Sequence, residues 1–350
     1  MICLQTLETI LPAMLARASV LDAAGAFPAE DVAALRQAGV LSAPVPVAFG
    51  GDGVGTEPVG AEAVLALMLA LGRGNLAVAR LIEAHVNALR LIVLFGDKRA
   101  VEAAVADARA GHLFGLWVTD GRRALVADGE RLSGQKGPCS GAGHCTRALV
   151  TAEAGDGVRM AVVALSGAEA VVPVQGMQGM RGAANGVVDL DGATVRDWVG
   201  IAGDYLMEPD FSCGAWRASA AAAGALAGLV EAVGEGLRRK GQTEAPMQLA
   251  RFGEMVTARE TARLWVERMA EVAEGNEASE AEKVATVNLG RGAVERACLD
   301  GIRLAQRSMG LGAFVAPNPV ERMVRDLGIY LRQPAPDAVL LEAAAWHLAR

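Results

Sequence analysis

The spacing of apolar residues changes period twice along this chain, and that double switch limits the available folds more than any single motif. From Leu7 to about Gly111 apolar residues recur at three and four, clearest in Val59–Leu71 and Leu76–Leu94, as in helices that bury one face. Between about Leu113 and Tyr205 the texture becomes β-prone. Short stretches at Leu113–Thr119, Arg147–Ala152, Val158–Leu165 and Gly186–Leu190 are divided by Gly, Asp and Ser clusters. From Ser212 the helical period returns in three long segments, about Ala215–Lys240, Pro246–Ala273 and Glu280–Met309. A parallel doubly wound sheet needs strands and helices in alternation, so this block order argues against a Rossmann fold. The expectation is an α+β chain with a helical N-terminal domain over 1–112, a small middle β-domain over 113–205 and a C-terminal antiparallel helix bundle over 206–350.

The 350 residues are enough for two or three such units, and 52% hydrophobic with 21% charged residues is a globular composition. A net charge of −7 provides no basic field for a phosphate backbone, so nucleic acid is not an expected partner. The first twenty residues lack a basic leader and carry Glu8, which reads as a core helix rather than a signal peptide. The apolar run Ala218–Val230 is shorter than the roughly 18 residues a spanning helix needs, so no membrane span is expected. Five cysteines without a CxxC pair suit a reducing cytoplasm. Cys139, His144 and Cys145 lack a fourth ligand, so no metal is expected. Gly51, Gly53 and Gly55 lack the preceding strand and third-glycine spacing of a phosphate cradle and read as a turn after Pro44 and Pro46.

Several segments carry a family resemblance in combination. Phe27-Pro28, Leu35–Val40 and Phe49–Gly53 come first, then Trp117–Asp120, Leu132–Lys136 and Gly179–Gly182. Gln306, Gly310, Gly312, Pro319–Glu321 and Arg325-Asp326 close the series. In this order, and across nearly the whole chain, they resemble the acyl-CoA dehydrogenase superfamily. The resemblance implies FAD in a cleft between the β-domain and the C-terminal helices, a homodimer or homotetramer whose neighbour closes over it, and a small-molecule substrate such as an acyl thioester. It also implies site residues. Trp117 and Thr119, on one face of a strand, would touch the isoalloxazine; the bland reading makes Trp117 a core aromatic. Ser140 stands where the family's Trp-Ile-Thr step has its hydroxyl, with Pro138 in place of the aromatic, although Pro138–Gly141 also reads as a turn. Arg239, beside Arg238, matches an arginine that reaches the adenosine pyrophosphate across a subunit boundary, or simply meets a helix dipole. Gln306 and Gly310 match a helix end that contacts the neighbour's FAD, or a plain C-cap. Arg325 and Asp326 are expected to pair with each other structurally.

One requirement of the family's chemistry is missing. Acyl-CoA dehydrogenation needs a positioned carboxylate to remove a proton beside the thioester. Pro334 falls where most relatives have that Glu, and the alternative position at the start of the first long C-terminal helix, Ser212–Arg217, holds no acid. Asp210 and Asp337 are the nearby acids, and Asp337 is explained by a helix start. The loop Gly121-Arg122-Arg123 replaces a longer segment that lines the acyl-CoA pocket. The functional expectation is therefore an FAD-dependent oxidoreductase with a displaced or absent base and no assigned catalytic residue. Its alternatives are a flavin monooxygenase-like enzyme or a non-catalytic scaffold.

Overall fold

The computed structural model describes residues 4–332 and 335–350. The first helical block resolves into α1 (Leu4–Ala24), α2 (Ala29–Gln37), α3 (Ala61–Gly74), α4 (Leu76–Phe95) and α5 (Lys98–Arg109). Asn75 starts α4 by accepting from the Ala77 N–H at 3.0 Å, and Asp97 starts α5 by accepting from the Ala100 N–H at 2.8 Å. The glycine run between α2 and α3 is a turn, with Gly50, Gly53 and Gly55 at positive φ.

The middle block holds β1 (Phe114–Trp117), β2 (Val126–Asp128), β3 (Arg131–Ser133), β4 (Gln135–Cys139), β5 (Arg147–Ala154), β6 (Gly157–Ala164), β7 (Val171–Pro173), β8 (Gly186–Asp189) and β9 (Val195–Val199). A six-stranded sheet runs β3-β2-β5-β6-β9, with β1 parallel to β5 along the residues nearest Arg147, and a three-stranded sheet runs β4-β8-β7. Two expectations are corrected here. β1 ends at Trp117, so Thr119 lies beyond the strand and is exposed while Trp117 is buried; the two do not share a strand face. Pro138 and Cys139 belong to β4, and the turn begins only at Ser140. The β4–β8 register shifts between Lys136 and Cys139, which places the residue without an N–H at the irregularity.

The last block comprises α6 (Asp210–Cys213), α7 (Ala215–Arg239), α8 (Pro246–Glu274), α9 (Glu280–Met309), α10 (Pro319–Tyr330) and α11 (Pro336–Leu348). The segment Asp210–Arg239 is long and apolar enough to cross a bilayer, but 72% of its most apolar window is buried inside the protein, which accounts for its alanine content. Its small residues allow unusually close packing on α3. A Cβ on Gly224 would lie 2.2 Å from the Leu69 carbonyl oxygen, and one on Gly72 would lie 2.1 Å from that of Ala221. Backbone therefore meets backbone between the first and last helical blocks.

The β-segment is fixed to the helices by His85, which is wholly buried on α4. The Phe114 N–H can only donate, so His85 Nδ1 at 3.2 Å must accept, and Nε2–H donates to the Leu41 carbonyl at 2.9 Å. That arrangement needs the neutral ring, and burial pushes the imidazole down to about 4 against the hydrogen bond to Leu41.

Two predictions test these contacts. Alanine replacing a helical glycine normally stabilises by about 1 kcal/mol. Gly224→Ala should instead cost about 1–3 kcal/mol in urea unfolding, while Gly253→Ala, with no atom within 4 Å of its added carbon, should show the normal gain. Below pH 6.5 the unfolded chain protonates His85 and the folded chain does not until about 4, so acid removes stability across that window. Between pH 6.5 and 5 the wild type should lose about 1.5 kcal/mol through this site, a loss absent from His85→Gln measured in the same way.

Candidate functional site

The residues that sequence reasoning marked for a cofactor fall into two groups. In the first, Trp117 is 3% exposed, and its indole N–H donates to the Ser140 carbonyl at 3.0 Å. The ring lies back along its own strand, since a Cβ on Gly115 would sit 2.5 Å from Trp117 Nε1. Trp117 thus backs the site rather than offering an open aromatic face. The Thr119 carbonyl accepts from the Gly137 N–H at 3.0 Å, and Thr119 and Pro138 are both exposed. Ser140 Oγ donates to Asn185 Oδ1 at 3.0 Å, and Asn185 Nδ2 donates to the Met180 carbonyl at 2.9 Å.

Lys136 holds this corner together and was not singled out by the sequence reading. Its side chain is buried and donates to the Val118 carbonyl at 2.8 Å, Asp120 Oδ1 at 2.6 Å and Thr151 Oγ1 at 3.0 Å. Burial lowers its ammonium from the ordinary lysine range, and Asp120 partly restores it. Next to Asn185 opens a cleft of about 700 Å³ lined by Ala142, His144, Gln175, Arg181 and Asn185, within the roughly 300–1,000 Å³ of small-molecule sites. Arg181 is committed to Asp22 at 3.0 Å, and His144 stacks on Phe27 at 4.1 Å.

The second group, Arg239, Gln306 and Gly310, lies where α7 and α9 end together. Gly310 closes α9 at φ +60°, with its N–H on the Gln306 carbonyl, and Lys240 Nζ reaches the Met309 carbonyl at 3.5 Å. Arg239 is largely exposed and pairs with Glu235 at 3.5 Å. The structure brings these three together but does not join them to the Trp117 corner.

The start of α7, where some relatives carry their base, is filled by an ion network. Glu274 accepts from the Trp216 indole at 2.9 Å, Arg217 at 3.2 Å and Arg90 at 2.9 Å. Arg90 also meets Asp210 at 3.3 Å, and Arg217 Nε donates to Asn87 Oδ1 at 2.5 Å. Asn87 and Arg80 in turn donate to buried Glu83. Burial, with Arg90 beside it, pushes the Arg217 guanidinium down to about 10. Burial raises the Glu274 carboxyl, but Arg90 and Arg217 outweigh that and hold it below its ordinary value. The lowered value makes it a weaker base than an ordinary carboxylate.

Other expectations change in detail. Arg325 and Asp326 do not pair with each other, because successive helical residues point to different sides. Arg325 binds Asp22 at 2.7 Å and Glu321 at 2.5 Å, while Asp326 binds Arg322 at 2.9 Å and accepts from the Met180 N–H at 2.6 Å. In the short loop Gly121-Arg122-Arg123, Arg123 bridges Asp189 at 2.8 Å and Asp191 at 2.7 Å. Asp337 lies in the first turn of α11 but makes no cap hydrogen bond, and Ala335 is the residue at the cap. Pro334 lies outside the described residues. Among the described residues no cluster of His, Cys, Asp or Glu is placed to hold a metal, and burial pushes the Cys145 thiol up to about 12.

Residues 214–332 match the family model described as acyl-CoA dehydrogenase, C-terminal domain. The whole fold is similar to that of glutaryl-CoA dehydrogenase from Mycobacterium smegmatis, at 18% identity and TM-score 0.83 over 99% of this chain and 94% of that one. It is also similar to KijD3 in complex with FMN and dTDP-3-amino-2,3,6-trideoxy-4-keto-3-methyl-D-glucose, at 19% identity and TM-score 0.81 over 99% and 92%. A third likeness is to TdsC from Paenibacillus sp. A11-2 with FMN and indole, at 18% identity and TM-score 0.80 over 99% and 97%. No curated protein matches the sequence. At these identities the structural likeness is one of fold.

Removing one side of the buried network should be costly. Glu274→Gln leaves Arg217 without its charge partner in the interior and should lower unfolding free energy by about 3–5 kcal/mol. Breaking the half-exposed Arg73–Glu231 pair by Arg73→Ala should cost under about 1 kcal/mol. Urea melts followed by tryptophan fluorescence compare the two.

Proposed function

We propose that this chain, which has the acyl-CoA dehydrogenase fold and, over residues 214–332, that family's C-terminal domain, is a flavin-dependent oxidoreductase that works with reduced flavin and oxygen rather than by abstracting a proton beside a thioester. The observation that carries this reading is the state of the two base positions. One is Pro334 in the sequence, and the other is the start of α7, where Arg217 is buried against Glu274 and Asn87. A general base has to be reachable and have a pKa near the working pH, and in the family the resemblance implies it is a carboxylate. Glu274 is tied to two arginines and an indole, and Asp210 is tied to Arg90.

The residues present fit one edge of a flavin. Thr119, whose carbonyl accepts from Gly137, and Ser140, which follows β4, would offer hydroxyls near Pro138, and because Ser140 already donates to Asn185, its oxygen is left to accept. Pro138 contributes an apolar surface, with Trp117 as the fixed backing behind the turn. A bound flavin would supply the redox chemistry; the protein's share is to orient it and to shield it from water. Arg239, Gln306 and Gly310 would face a neighbouring subunit's cofactor in a homo-oligomer. FMN in the KijD3 and TdsC structures favours FMN over the FAD that the resemblance implies.

The test titrates purified protein with FMN and FAD, oxidised and reduced, and then adds acyl-CoA thioesters without oxygen. Binding of reduced FMN, no bleaching by any acyl-CoA, and weaker flavin binding in Thr119→Val with Ser140→Ala are the expected results. Anaerobic bleaching of bound FAD by an acyl-CoA would restore a dehydrogenase reading. Failure of both flavins to bind at saturating concentration would leave a scaffold.

A further inference from the structure

The C-terminal helices enclose a second cavity that takes no lining residue from the β-segment among the described residues. Its volume of about 110 Å³ is several times the roughly 10–15 Å³ that one water needs. One wall is the small-residue face of α7, with Ala215, Ala218 and Ala222; the other is α9, with Asn288 and Arg291, and the first turn of α11 adds Asp337.

Asn288 is 1% exposed, and neither its Nδ2 nor its Oδ1 has a hydrogen-bond partner. An orphaned buried amide costs about 1–3 kcal/mol per group, so a cavity against it asks for a partner that donates and accepts side by side. Charge narrows the choice. Arg291 and Asp337 contribute opposite signs to the same cavity, and Glu295, which also lines it, acts on Arg291 and is paired with Arg332. The site is balanced, and a small ion of either sign would upset that balance. The alanine wall accepts a short apolar end.

We infer that this cavity is a binding site for a small neutral carboxamide, or a molecule with the same adjacent donor and acceptor, held by the Asn288 side chain against the alanine face of α7. A reciprocal pair forms in which Asn288 Nδ2–H donates to the ligand carbonyl and the ligand N–H donates to Asn288 Oδ1. The inference is independent of flavin binding.

Propionamide is the probe, with propionate as the charged control, in thermal unfolding of the full chain. A ligand that binds only the folded state raises Tm with concentration. The wild type should show that rise with propionamide and not with propionate. Asn288→Leu should abolish it while being at least as stable as the wild type without ligand, since the orphaned amide is gone. Ala222→Val, which fills the cavity from the opposite wall and keeps Asn288, should also abolish it and serves if the leucine variant does not fold. An unmoved wild-type Tm, an equal rise in the variants, a rise with propionate as large as with propionamide, or a crystal soaked in propionamide that shows only water at Asn288 would each overturn the assignment.

Discussion

A single neutral imidazole connects the parts of this protein that matter for its site. His85 stands on α4, accepts from the first residue of β1 and donates to the carbonyl of Leu41 in the segment before α3. The strand it holds ends in Trp117, whose indole fixes the Ser140 turn, and beyond it Lys136 ties Val118 and Asp120 to β4. The placement of Thr119 and of the Ser140 turn thus descends from one uncharged ring in a place where a charged one would lose an acceptor. An imidazole can donate and accept at opposite ends, which suits it to bridging a helix, a loop and a strand at once.

The same helix carries a different solution one face away. Between α4, α7 and α8 the interior is built from charges: Arg80 and Glu83, then Asn87, Arg217, Glu274, Arg90 and Asp210. Desolvating so many groups is worthwhile only because nearly every lone pair and proton in the chain of contacts is matched.

The block order of helices, strands and helices was legible because amphipathic periods survive divergence, and the long segments Pro246–Ala273 and Glu280–Met309 lie within a residue of α8 and α9. The short strands at Val126–Asp128, Arg131–Ser133 and Val195–Val199 were not legible, since three to five residues carry too little alternation to stand out. Pro138 misled for a physical reason, as its missing N–H falls where the β4–β8 register slips and costs the ladder nothing. Trp117 with Thr119, and Ser140 separately, could be chosen from the resemblance, yet nothing in residue spacing says that the indole points inward to a backbone carbonyl. Lys136 stood in a quoted motif without a role, because only the folded chain shows three acceptors gathered around its ammonium. Asn288 carried no signal at all: a buried amide without partners is a property of packing, not of sequence.

The glycine contact between α3 and α7 also bears on how the chain comes to be assembled. Gly72 meets Ala221 and Gly224 meets Leu69 across the full length of the intervening β-segment. During synthesis from the N-terminus, the groove of α3 that receives α7 therefore stays open to water until the entire strand-rich middle and the next helix have emerged. Closing so wide a loop adds only slowly to the entropic cost, but it delays the reward, so early helices spend that interval with an unfilled groove. A surface cut to fit another backbone, left waiting for its partner, is where a folding chaperone would find most to hold.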